Sequence, residues 1–317
     1  MLTGDIDAAA PVVAVLAELA DVDVSSARLL TGGASRQTWR CETSDGVFVV
    51  QRQRAGATHD MSIEAAVLHA AAAEGVPVPE PVGHVVGEDG VSTLVTRFVA
   101  GETIARKILR DDRFSSARAV LAEQLGRALA RVHRIDTDLV PGLAEFDPLK
   151  VYRDHLDAIG RPHPAFELAF RWLDEHRPAA LGRPVVVHGD FRLGNVIVDE
   201  RGLAAAIDWE LAHVGDRGED LGWVCVPAWR FGSELPVAGV AARDVLLEAY
   251  ADESGVVVDR ETLRWWEVNG ILRWGIICVM QAETHLSGVV RSHELAAIGR
   301  RVCENEYDLF LALEGRW

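Results

Sequence analysis

Apolar and polar positions along the chain fall into two textures that meet near residue 100. Residues 1–20 carry a short apolar stretch interrupted by Pro11 and Glu18 and preceded by Asp7, a pattern that predicts an amphipathic opening helix. Two β-prone pieces, 38–41 and 47–50, flank the turn Ser44-Asp45-Gly46 and predict a hairpin, with the pliable run Thr31-Gly32-Gly33-Ala34-Ser35 just before it. Residues 61–74 have helical composition, and Gly75, Pro77 and Pro79 end that helix. Strand-like runs at 82–86 and 92–99 surround the turn 87–90. Beyond Gly101 the period lengthens, and helices are predicted at about 115–135, 148–159, 164–178, 239–253, 261–287 and 291–313; in the first, Leu121, Leu125, Leu129 and Val132 share one face. Short strands at 185–188, 196–198 and 204–207 interrupt the helices. The expected fold class is α+β and bilobal: a small antiparallel β-rich lobe over residues 1–99, a hinge near 97–101 and a larger mainly helical lobe over 102–317.

Composition narrows the function. The chain has 317 residues and a formal net charge of -16, with Asp+Glu 48 against Lys+Arg 32. Acidic residues outnumber basic ones on both sides of residue 100, so no acidic tail accounts for the balance. Nucleic-acid binding, which rests on basic side chains neutralising phosphates, is not expected. Only Lys107 and Lys150 among the basic residues are lysine, so an Arg where chemistry often uses Lys is unsurprising in this chain. Cys41, Cys225, Cys278 and Cys303 lie far apart, without zinc or disulfide spacing, and read as reduced thiols of a cytoplasmic protein. The N-terminal stretch has neither the charge pattern of a signal peptide nor the length of a membrane span.

The candidate chemistry lies where strands interrupt the helical half: Val187-His188-Gly189-Asp190-Phe191-Arg192-Leu193-Gly194-Asn195, then Ile207-Asp208-Trp209-Glu210. Two carboxylates and an amide at strand ends suit phosphoryl transfer, in which positioning and metal ions do most of the work. Asp190 is the expected catalytic base, and Asn195 and Asp208 the expected magnesium ligands. Arg192 has two readings, contact with the transferring phosphoryl group or an ion pair with a neighbouring carboxylate. His188 is expected to orient the loop by hydrogen bonding, Asp220 to bind loop backbone N–H groups, and Asp216 to cap a nearby helix. Trp223, Trp229, Trp265, Trp266 and Trp274 fall in the region expected to form the acceptor pocket and read mainly as core, and Arg273, Ile277, Gln281 and His285, at four-residue spacing, read mainly as a solvated helix face, with convergence of the three polar residues on an acceptor as the alternative.

The set H-G-D-x-x-x-x-N followed by I-D-W-E resembles the aminoglycoside phosphotransferase and choline-kinase type of small-molecule kinase, and the order of the two lobes matches along nearly the whole chain. That resemblance implies a protein-kinase-like fold and use of ATP together with Mg2+, the choice of ATP over GTP resting on backbone groups at the hinge that the sequence does not reveal. It places Gly32, Gly33, Ala34 and Ser35 over the nucleotide phosphates. It sets Arg52, in Val49-Val50-Gln51-Arg52, where the kinase strand carries its lysine, with Glu64 as its ion-pair partner, and it puts Arg97 and Phe98 at the hinge beside the base. The run HGDFRLGNVIVD with AIDWELAHVGDRGEDLGW is similar to the subgroup also found fused to acyl-CoA dehydrogenases, which implies a hydroxyacyl-CoA as one acceptor; an aminoglycoside-like compound is another. The partner expected is a small-molecule hydroxyl acceptor, with neither nucleic acid nor membrane; oligomeric state is not encoded in the pattern. Arg52 in place of lysine supports the alternative of a catalytically silent nucleotide-binding scaffold, whereas a metal hydrolase built on His188, Asp190 and Asp208 lacks a second histidine at ligand spacing.

Overall fold

A computed structural model describes residues 6–32, 36–54, 61–87 and 89–316. The chain opens with α1 (Ile6–Ala20), then β1 (Val24–Gly32), β2 (Arg36–Thr43), β3 (Gly46–Gln53), α2 (Met61–Ala73), β4 (Pro81–Val86) and β5 (Ser92–Arg97). These strands form an antiparallel sheet in the order β1-β2-β3-β5-β4. Cys41, Phe48, Val50 and Val95 point to one face, where Val12 and Leu16 of α1 cover them. The opposite face looks toward the helical half across a cleft. Phe98 ties the end of β5 to β3 by donating its N–H to the Val47 carbonyl (2.9 Å), and Glu102 exchanges backbone hydrogen bonds with Val198 (2.9 and 3.0 Å). The segment between the sheet and the helices is thereby anchored at both ends.

The helical half comprises α3 (Ala105–Arg110), α4 (Ser115–Val132), α5 (Pro148–Ile159), α6 (Pro164–Glu175), α7 (Gly218–Trp223), α8 (Arg243–Ser254), α9 (Arg260–Leu286), α10 (His293–Gly299) and α11 (Val302–Leu313). Between α6 and α7 lie β6 (Val185–Val187), β7 (Val196–Asp199), β8 (Gly202–Ala206) and β9 (His213–Gly215), which pair as β6 with β9 and β7 with β8. Leu121, Leu125, Leu129 and Val132 are buried on α4 as the four-residue spacing required. They join Met61, Val67 and Leu68 of α2 in one core, so α2 belongs to both halves of the molecule. A second core joins α5, α6, α9 and α11 around Phe166, Trp265 and Ile276. Among the described residues no helix is long and apolar enough to cross a membrane.

Two departures from the expected elements have physical causes. Strand β1 was not expected from the pattern: it is an edge strand, with Leu29 and Leu30 half exposed, so no in-out alternation marks it. The single helix expected over 291–313 is two, since α10 packs on α9 while α11 turns to pack on both α6 and α9. Gly126 in α4 is required by closeness: a Cβ there would stand 2.6 Å from the Leu246 carbonyl oxygen of α8. Gly126→Ala is therefore expected to destabilise the protein by about 2 kcal/mol through overpacking, read as a lower denaturant midpoint with the slope unchanged.

Candidate active site

Strand β6 is fully buried, and it delivers the loop 188–195 to the floor of the cleft. Gly189 makes the turn, with a φ of 79° and no room for a side chain, since a Cβ would meet the Leu211 carbonyl oxygen at 2.3 Å. Asp220 of α7 braces the loop by accepting the N–H groups of His188 (2.8 Å) and Gly189 (3.0 Å). Its carboxylate also meets His133 Nε2 at 3.2 Å, and His133 Nδ1 meets the Tyr250 hydroxyl at 2.9 Å. Burial opposes a charge on Asp220, yet His133, His188 and the loop N–H hold its carboxyl below the usual carboxylate range.

His188 orients the loop as the sequence suggested. Its Nδ1 accepts the Asp190 N–H (3.2 Å), which leaves the proton on Nε2 to be donated to the Ile207 carbonyl (3.1 Å). Full burial lowers its pKa despite the nearby Asp220 and Asp190 carboxylates, so the ring is neutral. Asp216 accepts the Gly218 N–H (2.8 Å) in the turn that enters α7, where Arg217 is the N-cap residue, and the Leu181 N–H (3.2 Å).

Three donors fix the Asp190 carboxylate. Trp223 Nε1 (2.7 Å) and Arg192 Nε (3.0 Å) donate to Oδ1, and Asn195 Nδ2 (2.5 Å) donates to Oδ2. Of the two readings of Arg192, the structure shows the ion pair, with the guanidinium also lying over the Trp229 ring at 4.5 Å. Trp223 was read from sequence mainly as core; it is core, 3% exposed, and a donor to Asp190 as well. Arg273 departs from its expected solvated face. It is buried, donates to the Gly189 carbonyl (2.6 Å) and lies over the Trp223 ring at 4.3 Å, which locks loop and indole together.

Asn195 uses its amide N–H groups on the Asp190 carbonyl and carboxylate, which leaves its side-chain oxygen as the available ligand atom. Its backbone carbonyl accepts the Ile207 N–H (2.9 Å), so the residue just before Asp208 is tied to the loop 188–195. Asp208 adopts a left-handed backbone, φ 69°. Burial first, then the carboxylates of Glu210, Asp190 and Glu64, push its pKa up to about 6, and Arg36 only partly offsets them. Such a crowd of oxygen donors favours a cation.

That cation among the protein's own side chains is Arg36, which the sequence reading missed. Its Nη1 donates to both oxygens of Glu64 (3.0 and 3.2 Å), and its Nη2 donates to Asp208 (3.0 Å) and Glu210 (2.5 Å). Burial works against the guanidinium charge, but these carboxylates hold its pKa well above the ordinary arginine value.

The expected Arg52–Glu64 pair does not form. In the register of the sheet Arg52 opposes Gln37 and Thr93, whereas Gln51 opposes Thr38 and Leu94. Alternation then turns Arg52 to the same face as Phe48 and Val50, away from the cleft, where it pairs with Asp89. Gln51 takes the cleft-facing position.

A cavity of about 580 Å³ fills the cleft, lined on the sheet side by Leu30, Thr38, Val49 and Gln51 and on the floor by Asn195, Ile207 and Asp208, with Arg36 and Glu64 at one wall. Arg97 and Phe98 also line it. The Arg97 guanidinium, however, is held by Asp45 (2.6 Å) and lies over the Phe48 ring at 4.4 Å. Asp190 is not among the lining residues; it sits behind Asn195. Of the expected phosphate-covering residues, Gly32 ends β1, while Gly33, Ala34 and Ser35 lie outside the described residues.

The model of the phosphotransferase enzyme family (APH) matches residues 26–266. Acyl-CoA dehydrogenase family member 10 of Mus musculus is 28% identical over 223 residues, which cover 65% of this chain and 20% of that protein. The chain thus spans about a fifth of the length of that relative. Among solved structures, spectinomycin phosphotransferase in complex with ADP and spectinomycin superposes with a TM-score of 0.68 at 13% identity, covering 96% of this chain and 98% of the other. A choline/ethanolamine kinase family protein of Mesorhizobium loti gives 0.67 at 20% identity, covering 98% and 95%. At these identities the structural likeness is one of fold.

Proposed function

The chain belongs to the phosphotransferase enzyme family, and from that membership we propose that it transfers the γ-phosphoryl group of ATP, with magnesium, to a hydroxyl of a small molecule. The observation that carries this reading is that Asn195 and Asp208 line the floor of a cavity between the sheet and the helical half, with Asp190 behind Asn195 and hydrogen-bonded to it. The cavity receives the nucleotide, with residues 97–101 as the hinge beside the base. Asp190 accepts the proton of the acceptor hydroxyl as that oxygen attacks phosphorus, and Trp223, Arg192 and Asn195 hold the carboxylate in one orientation while it does so. Trp223→Phe keeps an aromatic six-membered ring but removes the pyrrole half of the indole with its N–H; it is expected to slow turnover by roughly tenfold, and unchanged turnover would remove the indole from the machinery.

The oxygen donors of Asp208 and Asn195 fit magnesium, a hard cation that is commonly held by one or two protein carboxylates and completed by substrate phosphates. Bound there, magnesium would neutralise charge on the nucleotide phosphoryl oxygens. The test is thermal: ATP with magnesium should raise the melting temperature of the parent protein by a few degrees and that of Asp208→Ala by far less, whereas equal shifts would remove Asp208 from the metal site.

The acceptor follows from relatives more than from geometry. The acyl-CoA dehydrogenase family kinship supports a hydroxyacyl-CoA, and the spectinomycin phosphotransferase fold supports an aminoglycoside-like compound. The second reading, a silent nucleotide-binding scaffold, is favoured by one observation: the cleft-facing position of β3 carries neutral Gln51.

A further inference from the structure

A phosphotransferase of this architecture needs a cation between the helix carboxylate and the nucleotide phosphates, and β3 does not supply one to the cleft. Gln51 is neutral, and Arg52 faces the other side of the sheet against Asp89. The basic residues that line the cavity are, among the described residues, Arg36 and Arg97. Arg97 is committed to Asp45 and to the Phe48 ring at the outer end of the hinge. Arg36 is the first residue of β2, directly after the run Gly32 to Ser35, and its side chain is 12% exposed.

We propose that Arg36, carried by β2, is the residue that grips the nucleotide phosphates in this chain, taking the place of a basic residue on β3. The inference rests on the nucleotide reading above and deepens it. The two edges of the guanidinium are used differently. Nη1 is held by both oxygens of Glu64, a buried residue of α2, which fixes the direction of the side chain. Nη2 meets Asp208 and Glu210, carboxylates whose side chains are 38% and 39% exposed and therefore within reach of a ligand in the cavity. Phosphate oxygens compete for the Nη2 edge, while Nη1 stays on Glu64. Planar guanidinium suits this division because it presents fixed, parallel N–H donors to an anion. The exchange also releases Asp208 from Arg36, so phosphate binding and metal binding assist each other at one carboxylate. The Arg36–Glu64 pair thereby couples β2 to α2, as a β3 cation would couple β3 to it.

The experiment is calorimetric titration of the full chain and its variants with ADP plus magnesium, and separately with adenosine, which lacks phosphates. Arg36→Met is expected to weaken binding of ADP with magnesium by about ten- to a hundredfold, the loss of charge-assisted hydrogen bonds, with adenosine affinity unchanged. Arg52→Met should bind both as the parent does. In the double variant Arg36→Met with Gln51→Lys, a cation returned to the cleft face of β3 should recover at least part of the lost affinity. Arg36→Lys, the milder variant, should fall between parent and Arg36→Met, and it keeps the test open if Arg36→Met does not fold. Parent-like affinity in Arg36→Met or, failing that, in Arg36→Lys would overturn the inference, as would loss of ADP affinity in Arg52→Met alone. A parent protein that binds neither ligand would instead overturn the nucleotide reading on which the inference stands.

Discussion

Asp190→Asn is expected to lower phosphoryl transfer about a thousandfold or more while the protein still binds ATP with magnesium to within a few-fold of the parent. The substitution is nearly isosteric. Its side-chain oxygen can still accept from Trp223 and Arg192, so the loop keeps two of the three contacts that place residue 190. What disappears is the basic oxygen that takes the acceptor proton, and in its place an amide N–H faces Asn195 Nδ2. Nucleotide affinity should survive because Asp190 lies outside the cavity lining, behind Asn195. Turnover is measured with labelled ATP and binding by calorimetry. A variant that turns over normally would exclude Asp190 as the base.

Asp220→Ala should unfold far more easily than the parent, by about 3 kcal/mol or more, because it deletes one member of a fully buried charged network. The loop N–H groups of His188 and Gly189 and the ring of His133 would lose their shared acceptor in a site closed to water. The pH dependence has a definite sign. The Asp220 carboxyl is held below the usual range in the folded protein, so its stabilisation is present above the unfolded value near pH 4 and is lost as pH falls through the folded value. The parent should therefore lose stability more steeply than Asp220→Ala as the solution is acidified below about pH 4. Urea midpoints measured across that range decide it; superimposable curves would show that Asp220 does not brace the loop.

What could be read from sequence was what is local in sequence. The spacing from Asp190 to Asn195 spans one loop, and Asp208 follows the next hairpin, so residue type and order sufficed to propose the site. Asp220 and Asp216 were also legible, since an acid near the start of a short helix has few other uses than binding backbone N–H groups. The facing of β3 was not. Val47 to Val50 is apolar at both parities, so nothing in that run says whether Gln51 or Arg52 turns to the cleft, and only the pairing of Gln51 with Thr38 and Leu94 settles it. Arg36 was hidden for a related reason. Its partners Glu64, Asp208 and Glu210 come from α2 and from the distant segment after β8, 28 to 174 residues away, and no local pattern joins them. Trp223 and Arg273 were read as packing and as a solvated face because their contacts with Asp190 and Gly189 arise only when α7 and α9 close over the loop.

These assignments make one chain of cause: β6 and Gly189 set the loop, Asp220 and His188 hold it, Asp190 waits at its tip, and Asp208 and Asn195 present oxygens to the cleft. The measurement that tests it most directly is transfer of label from γ-labelled ATP, with magnesium, to a panel of hydroxylated small molecules that includes hydroxyacyl-CoA esters and aminoglycosides, run beside Asp190→Asn as the blank. The account predicts a labelled phosphate ester on at least one acceptor, formed only when magnesium is present and absent with Asp190→Asn. Label that appears equally with Asp190→Asn, or a parent protein that binds ATP with magnesium and labels no acceptor above that blank, would contradict it.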